Sequence, residues 1–300
     1  MAGDQLDPSI IVDGERHVVV SPGYLAGPGR PDTANSAFEA FLAEHQGWSR
    51  YSCDGGDTSV AVSDCLTGRI RLDHEPGDRY SSWTLAGYES PAGERAWHAT
   101  FDLDAPHEIA LAVASTFSHA LSYSSPAVKE EALWGRQNTC ETLLAQMRES
   151  DWLDVSTPSE MAFRSPDATA GLIRWDGGAF HDAPWSRDYP AGVTLWARGT
   201  GDDTIRTAWQ AHFSKNTPTR LITAALDHLT DPQPSLRRLA EVPTAHLGVV
   251  DVRPHKGSPR SAAATATGRT ALADIPVERW NAAAAAAAQA AANRPAGRTT

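Results

Sequence analysis

The stretch Ala96-Trp97-His98-Ala99-Thr100-Phe101 returns, nearly unchanged, as Ala208-Trp209-Gln210-Ala211-His212-Phe213. In both, Trp, Ala and Phe alternate with polar residues, the period-two pattern of a strand with one buried face. A recurring strand of this kind points to a duplicated unit, and the surrounding chain bears that reading out.

Upstream of the first copy, His17-Val18-Val19-Val20 is β-branched and stops at Ser21-Pro22, so it reads as a short strand closed by a turn. Between Thr33 and Gly47, Phe38, Phe41, Leu42 and His45 recur at helical spacing, and Gly47 can end the helix. Trp48 then opens a run of strands. Val60 and Val62, Arg69-Ile70-Arg71-Leu72, Trp83 to Tyr88, and Trp97 to Phe101 predict a four-stranded antiparallel meander with Gly- and Pro-bearing turns. Pro106 stands near the first turn of a following helix whose apolar face is Ile109, Ala112, Val113, Phe117 and Leu121.

The second unit follows by near-constant offsets. Ser125-Pro126 and Trp152 answer Ser21-Pro22 and Trp48, and Leu143, Leu144 and Met147 supply a first helix. Gly171-Leu172-Ile173-Arg174-Trp175 is matched to Gly68 through Leu72, Thr194-Leu195 to Thr84-Leu85, and Trp209 and Pro218 to Trp97 and Pro106. Leu221, Ala225 and Leu229 complete a second terminal helix. The expected fold is therefore α+β: two tandem repeats of strand-helix-four antiparallel strands-helix, at 17–121 and 122–232, related by a pseudo-twofold axis. Residues 233–300 read as a low-complexity basic tail, broken by Pro and a Ser/Thr/Ala run, with an Ala-rich helix near 276–293.

Charge divides along the same line. From Gln233 onward nine basic residues face four acidic ones, so the remainder of the chain carries −16 against a net charge of −11 for all 300 residues. An acidic body disfavours a broad footprint on duplex DNA or an anionic membrane. Cys53, Cys65 and Cys140 show no C-x-x-C spacing, which suits a reducing cytoplasm. No secretory signal is expected in Met1 to Asp13, and no apolar run is long enough for a membrane span.

The combination Ser-Pro-x-Tyr-Leu-Ala-Gly at Ser21 to Gly27, Gly-Arg-Ile-Arg-Leu at Gly68 to Leu72, and Trp-x-Ala-x-Phe followed by Asp104-x-Pro106-x-Glu108-Ile109 resembles the actinobacterial SPDY-type domain of unknown function, usually present in two copies. The resemblance spans roughly His17 to Asp231 and implies fold and duplication; it carries no activity or functional residues.

Alternation sorts the strands into two faces. Ile70, Leu72, Trp83, Leu85, Trp97, Ala99 and Phe101, with Ile173, Trp175, Val193, Leu195, Trp209, Ala211 and Phe213, are expected in the core. The opposite face presents the candidate binding residues Arg69, Arg71, Tyr88, His98, Arg174, Trp196, Arg198 and His212. Such a face is either ordinary solvated sheet or a platform where rings stack on bases and guanidiniums hold phosphates. In element order alone, the repeats also resemble single-strand binders of the whirly or PUR type.

Enzyme chemistry finds little support in the residues. There is no Gly-x-Ser-x-Gly elbow and no phosphate loop, and the histidines lack metal-ligand spacing, so no catalytic residue, metal or cofactor is expected. Asp102 and Asp104 share a face as a carboxylate pair would, but Asp102 reads as a strand end and Asp104 as a cap near the following helix start. The leading expectation is a non-enzymatic cytoplasmic interaction or regulatory module that binds a protein partner with help from its tail. The alternative is single-stranded DNA or RNA binding across the open sheet faces.

Overall fold

Alternating strands dominate the architecture, which the computed structural model describes for residues 11–255 apart from 13–14, 30, 54–56, 75–80, 135–138, 159, 176–190 and 199–206. Chain order gives β1 (Ile11–Val12), β2 (Glu15–Ser21) and α1 (Pro31–Glu44). A meander follows: β3 (Trp48–Cys53), β4 (Thr58–Ser63), β5 (Gly68–Asp73), β6 (Ser81–Tyr88) and β7 (Arg95–Asp102). Then come α2 (His107–Ser122), α3 (Pro126–Trp134) and α4 (Thr139–Glu149), and a second meander of β8 (Leu153–Asp154), β9 (Met161–Arg164), β10 (Ala170–Trp175), β11 (Gly192–Arg198) and β12 (Thr207–Ser214). The last described elements are α5 (Thr219–Thr230), β13 (Ser235–Arg238) and β14 (Asp251–Pro254).

Both meanders join in one ten-stranded antiparallel sheet of order β3-β4-β5-β6-β7-β12-β11-β10-β9-β8. The seam is the β7–β12 pair, where Phe101, Thr100 and Ala99 stand opposite Ala211, His212 and Phe213. The recurring sequence stretches thus lie side by side at the centre. Their large side chains face the helices: Trp97 meets Phe117 of α2 at 4.8 Å, Trp83 meets Phe38 of α1 at 6.0 Å, and Phe101 meets Phe213 edge-on across the seam at 5.7 Å. One hydrophobic cluster runs from Phe38 and Trp83 through to Trp209 and Leu229, so the two halves share a single core.

Four expectations change. The strand at 17–20 belongs to β2, which leaves the meander and forms a second, four-stranded sheet with β1, β13 and β14. Its buried Val18 and Val20 pack with Ala26 and Val242, and β13 and β14 satisfy its backbone by pairing with β2 over Val18–Val20. Residues 235–254, read from sequence as the start of a tail, are therefore structural. At Ser125-Pro126 there is no matching strand: α2 ends at Ser122 and α3 begins at Pro126. Each half of the large sheet holds five strands rather than four, because β3 and β8 add an outer strand on either side. The expected helix at 276–293 lies outside the described residues.

Candidate binding face

Cross-strand partners share a face, so the register assigns side chains to faces wherever the ladder runs without a shift, as it does except at Ser81/Trp83, Gly87/Tyr88 and Ala197/Arg198. One row on the face away from the helices runs Tyr51, Val60, Arg71, Thr84, Thr100, His212, Thr194, Ile173 and Ala162. Beside it lie His98, Ala86, Arg69 and Val62 on one side, and Gln210, Trp196, Gly171 and Arg164 on the other. Most of the candidate set is thereby gathered on a common surface.

Arg174 is the exception. It stands opposite Val193, which stands opposite Phe213, on the helix-covered face. Matching Gly171 to Gly68 misplaced β10 by one residue, which exchanges every side chain between faces. Two turns reveal the better correspondence. In the β4–β5 turn the Ser63 hydroxyl accepts from the Gly68 N–H at 2.9 Å, and Cys65 lies 3.3 Å from it and 3.1 Å from the Thr67 hydroxyl. In the β9–β10 turn the Ser165 hydroxyl accepts from the Ala170 N–H at 2.9 Å, and Asp167 accepts from Ser165 and from Thr169. Leu66 and Ala168, at the same place in each turn, both have φ near +60°. Gly68 thus corresponds to Ala170 and Ile70 to Leu172, which is fully buried, while Ile173 and Trp175, expected in the core, are partly exposed on the open face.

At the periphery of this face, arginines cover aromatic rings. The Arg69 guanidinium lies 4.1 Å from the Tyr88 ring centre, and that of Arg198 lies 4.3 Å from Trp196. Trp196 is only 5% exposed: its indole fills the place where Gly171 has no Cβ. Burial, and then the neighbouring Arg164, lowers the Arg198 pKa. Arg71 is exposed and pairs with Asp73 at 2.8 Å. Arg95 stands across from Tyr88, and exposed Arg164 shares a row with Trp196.

At the seam the face is polar and almost uncharged. His98 and His212 lie 6.2 Å apart, ring centre to ring centre. His212 Nδ1 is 3.2 Å from the Thr194 hydroxyl, while its Nε2 is buried without a hydrogen-bond partner among the described residues. Burial, and then His98, lowers His212 to about 4; burial, and then Arg95, also lowers His98. Both imidazoles are therefore neutral at pH 7. Asp102, at the end of β7, accepts from the Gln210 N–H at 2.9 Å, whereas Asp104, expected to cap α2, does not, since Pro106 precedes the helix with no side-chain cap. At the other end of the seam Ser214 does the same for the His98 N–H at 3.0 Å. Burial raises Asp102 to about 6, with Asp104 adding to the rise and the Gln210 hydrogen bond opposing it.

Two anchoring contacts escaped the sequence reading. Tyr24, from the Ser-Pro-x-Tyr-Leu-Ala-Gly stretch, reaches the β9–β10 turn with its hydroxyl 2.8 Å from Thr169, and its carbonyl accepts from Trp209 Nε1 at 2.7 Å. Arg237 of β13 is 8% exposed and grips Glu108 through both guanidinium termini, at 2.7 and 2.8 Å. Burial would raise the Glu108 carboxyl, but the hydrogen bonds and charge of Arg237 hold it below the usual range. Neither contact leaves a periodic signal, because each joins residues more than 100 positions apart.

Residues 67–126 and 164–235 match the family model described as SPDY, Domain of unknown function (DUF317). Both segments belong to the SPDY family. The first SPDY segment takes in β5 to α2 and the second β10 to α5, so the seam strands and the helices packed on them lie within the match. The Ser21 to Gly27 stretch, part of the sequence resemblance, lies outside the matched SPDY segments yet docks onto the second of them through Tyr24. No curated protein and no solved structure matches the chain.

Proposed function

We propose that this SPDY protein is a non-catalytic binding module that receives an acidic segment of a protein partner across the arginine-bearing face of its ten-stranded sheet. One observation carries the reading: in a chain of net charge −11, the strand positions of this face hold Arg69, Arg71, Arg95, Arg164 and Arg198 against Asp73 and Asp102. Local complementarity of this kind steers an oppositely charged partner even when the net charge repels it. Two titratable groups of the seam help to hold strands together, Asp102 bound to the Gln210 N–H and His212 through Nδ1 to Thr194.

Single-stranded DNA or RNA is the rival occupant, since the same guanidiniums could hold phosphates. Base stacking contributes about 1–3 kcal/mol per base on an open ring. Here Arg69 already covers Tyr88, and Trp196 is buried beneath Arg198, so a base would first have to displace a cation. That weighs against the rival.

We also read the two halves as copies of one unit. The matched turns at Ser63 and Ser165, and the reciprocal pairs Asp102 to Gln210 and Ser214 to His98, support duplication. Exposed free thiols at Cys65 and Cys140 accord with a cytoplasmic setting.

Titration of the full chain at low salt with a labelled oligoglutamate peptide, and separately with a labelled oligothymidylate, tests the proposal. The peptide should bind, and Arg69→Glu with Arg164→Glu should weaken it by about tenfold or more. Peptide binding indifferent to both reversals defeats the reading. Oligothymidylate binding that is tighter than the peptide and falls on Trp196→Leu transfers the face to nucleic acid.

A further inference from the structure

On the opposite side of the molecule, the helix layer holds a groove of about 690 Å³ between the end of α2 and the helices α3, α4 and α5. Its volume lies within the range of small-molecule sites, roughly 300–1,000 Å³. Ala127, Val128 and Ala132 of α3 give it an apolar wall, and Val128 is 50% exposed. We propose that this groove binds a small amphipathic monocarboxylate, its carboxylate on Arg220 and its hydrocarbon body along α3.

Arg220 carries the polar half of the argument. Its Nε is buried and has no hydrogen-bond partner, and among the described residues no carboxylate forms an ion pair with it, although Glu131 lines the same groove. Its contacts are the Tyr123 hydroxyl at 3.3 Å and the Tyr123 ring at 5.5 Å. An arginine held in this way keeps the planar, two-pronged donor set that matches a carboxylate.

The backbone adds to this. The first residues of α4 and α5, Thr139 and Thr219, meet with their hydroxyls 2.6 Å apart, so two helices of 11 and 12 residues direct their positive ends toward one place. Before α5, Pro218 supplies no side-chain cap. Helix N-termini favour an anion there. Exposed Glu131 lines the same groove and opposes a second negative charge, which selects a monocarboxylate over a dicarboxylate. This site shares no residue with the sheet face and does not depend on the reading proposed for it.

Calorimetric titration of the full chain with octanoate, octanol and suberate tests the inference. Octanoate should bind at millimolar concentration or below, more tightly than suberate, and Arg220→Gln should weaken it by about tenfold while leaving octanol unchanged. Arg220→Lys, which keeps the charge but not the two-pronged fork, should recover only part of the affinity, and Ala127→Leu, which fills the groove without altering charge, should weaken octanoate and octanol together. Absence of octanoate binding, equal binding by wild type and Arg220→Gln, or equal octanoate binding by wild type and Ala127→Leu overturns the proposal.

Discussion

Two glycines show how much at the residue scale depends on a missing Cβ. A methyl group at Gly171 would overlap the indole of Trp196, and one at Gly87 would overlap that of Trp97, both of them buried rings with nowhere to move. Gly171→Ala and Gly87→Ala should each cost about 1–3 kcal/mol of stability, read as a lower urea midpoint at unchanged slope. The seam predicts a second effect, on pH dependence. Asp102 is raised from 3.8 to about 6, so the folded state binds its proton more tightly, and the stabilisation this provides is lost as pH rises through that interval. His212 is lowered from 6.5 to about 4, so its contribution is present at neutral pH and lost as pH falls through that interval. Across pH 4–6 the two oppose one another, each on the order of 1–3 kcal/mol. Asp102→Asn should therefore steepen the loss of stability on acidification, and His212→Gln should flatten it; urea midpoints between pH 4 and 7 that are parallel for all three proteins refute the account. Most of the open-face residues were legible from alternation alone. Arg174 was not, because a one-residue error in matching two similar strands is invisible until the ladder to β11 fixes it.

Alternation and helical spacing identified α1, α2, α4, α5 and the inner strands at the scale of elements, since each buries one face and its sequence repeats accordingly. They did not show where β2 goes. Val18 and Val20 state that the strand is buried without saying beneath what, and its partners β13 and β14 come more than 200 residues later. The Arg237–Glu108 pair ties β13 to the first turn of α2, and Arg237 also donates to the Gly27 carbonyl at 3.1 Å. A fully dry pair that loses one partner costs about 3–5 kcal/mol. The Glu108 side chain is 46% exposed, so Glu108→Ala should cost less, about 1–3 kcal/mol. The loss should be accompanied by faster amide exchange in Val18–Val20; unchanged exchange there would show that β13 holds β2 without the ion pair.

Over the whole molecule, the decisive feature is that the two halves share one sheet and one core. Phe101 and Phe213 touch across the seam, Tyr24 of the first half is bound by Trp209 and Thr169 of the second, and α2 packs on α5. Such a structure should unfold as one unit. Differential scanning calorimetry should give a single transition with equal calorimetric and van't Hoff enthalpies, and Phe101→Ala with Phe213→Ala should be non-additive by about 0.5–1.5 kcal/mol. Two separable transitions would mean that the halves are independent domains.

Composition, period and internal similarity determined the α+β class, the buried tryptophans and the likeness between the halves, because each is a local pattern that burial on one side of an element imposes on the chain. The tertiary structure alone decided that the halves fuse at β7 and β12, that β2 is shared with the chain beyond α5, and that the aromatic neighbours of the open-face arginines are covered. Those outcomes rest on strand register and on contacts between distant residues. Side-chain periodicity carries no record of either.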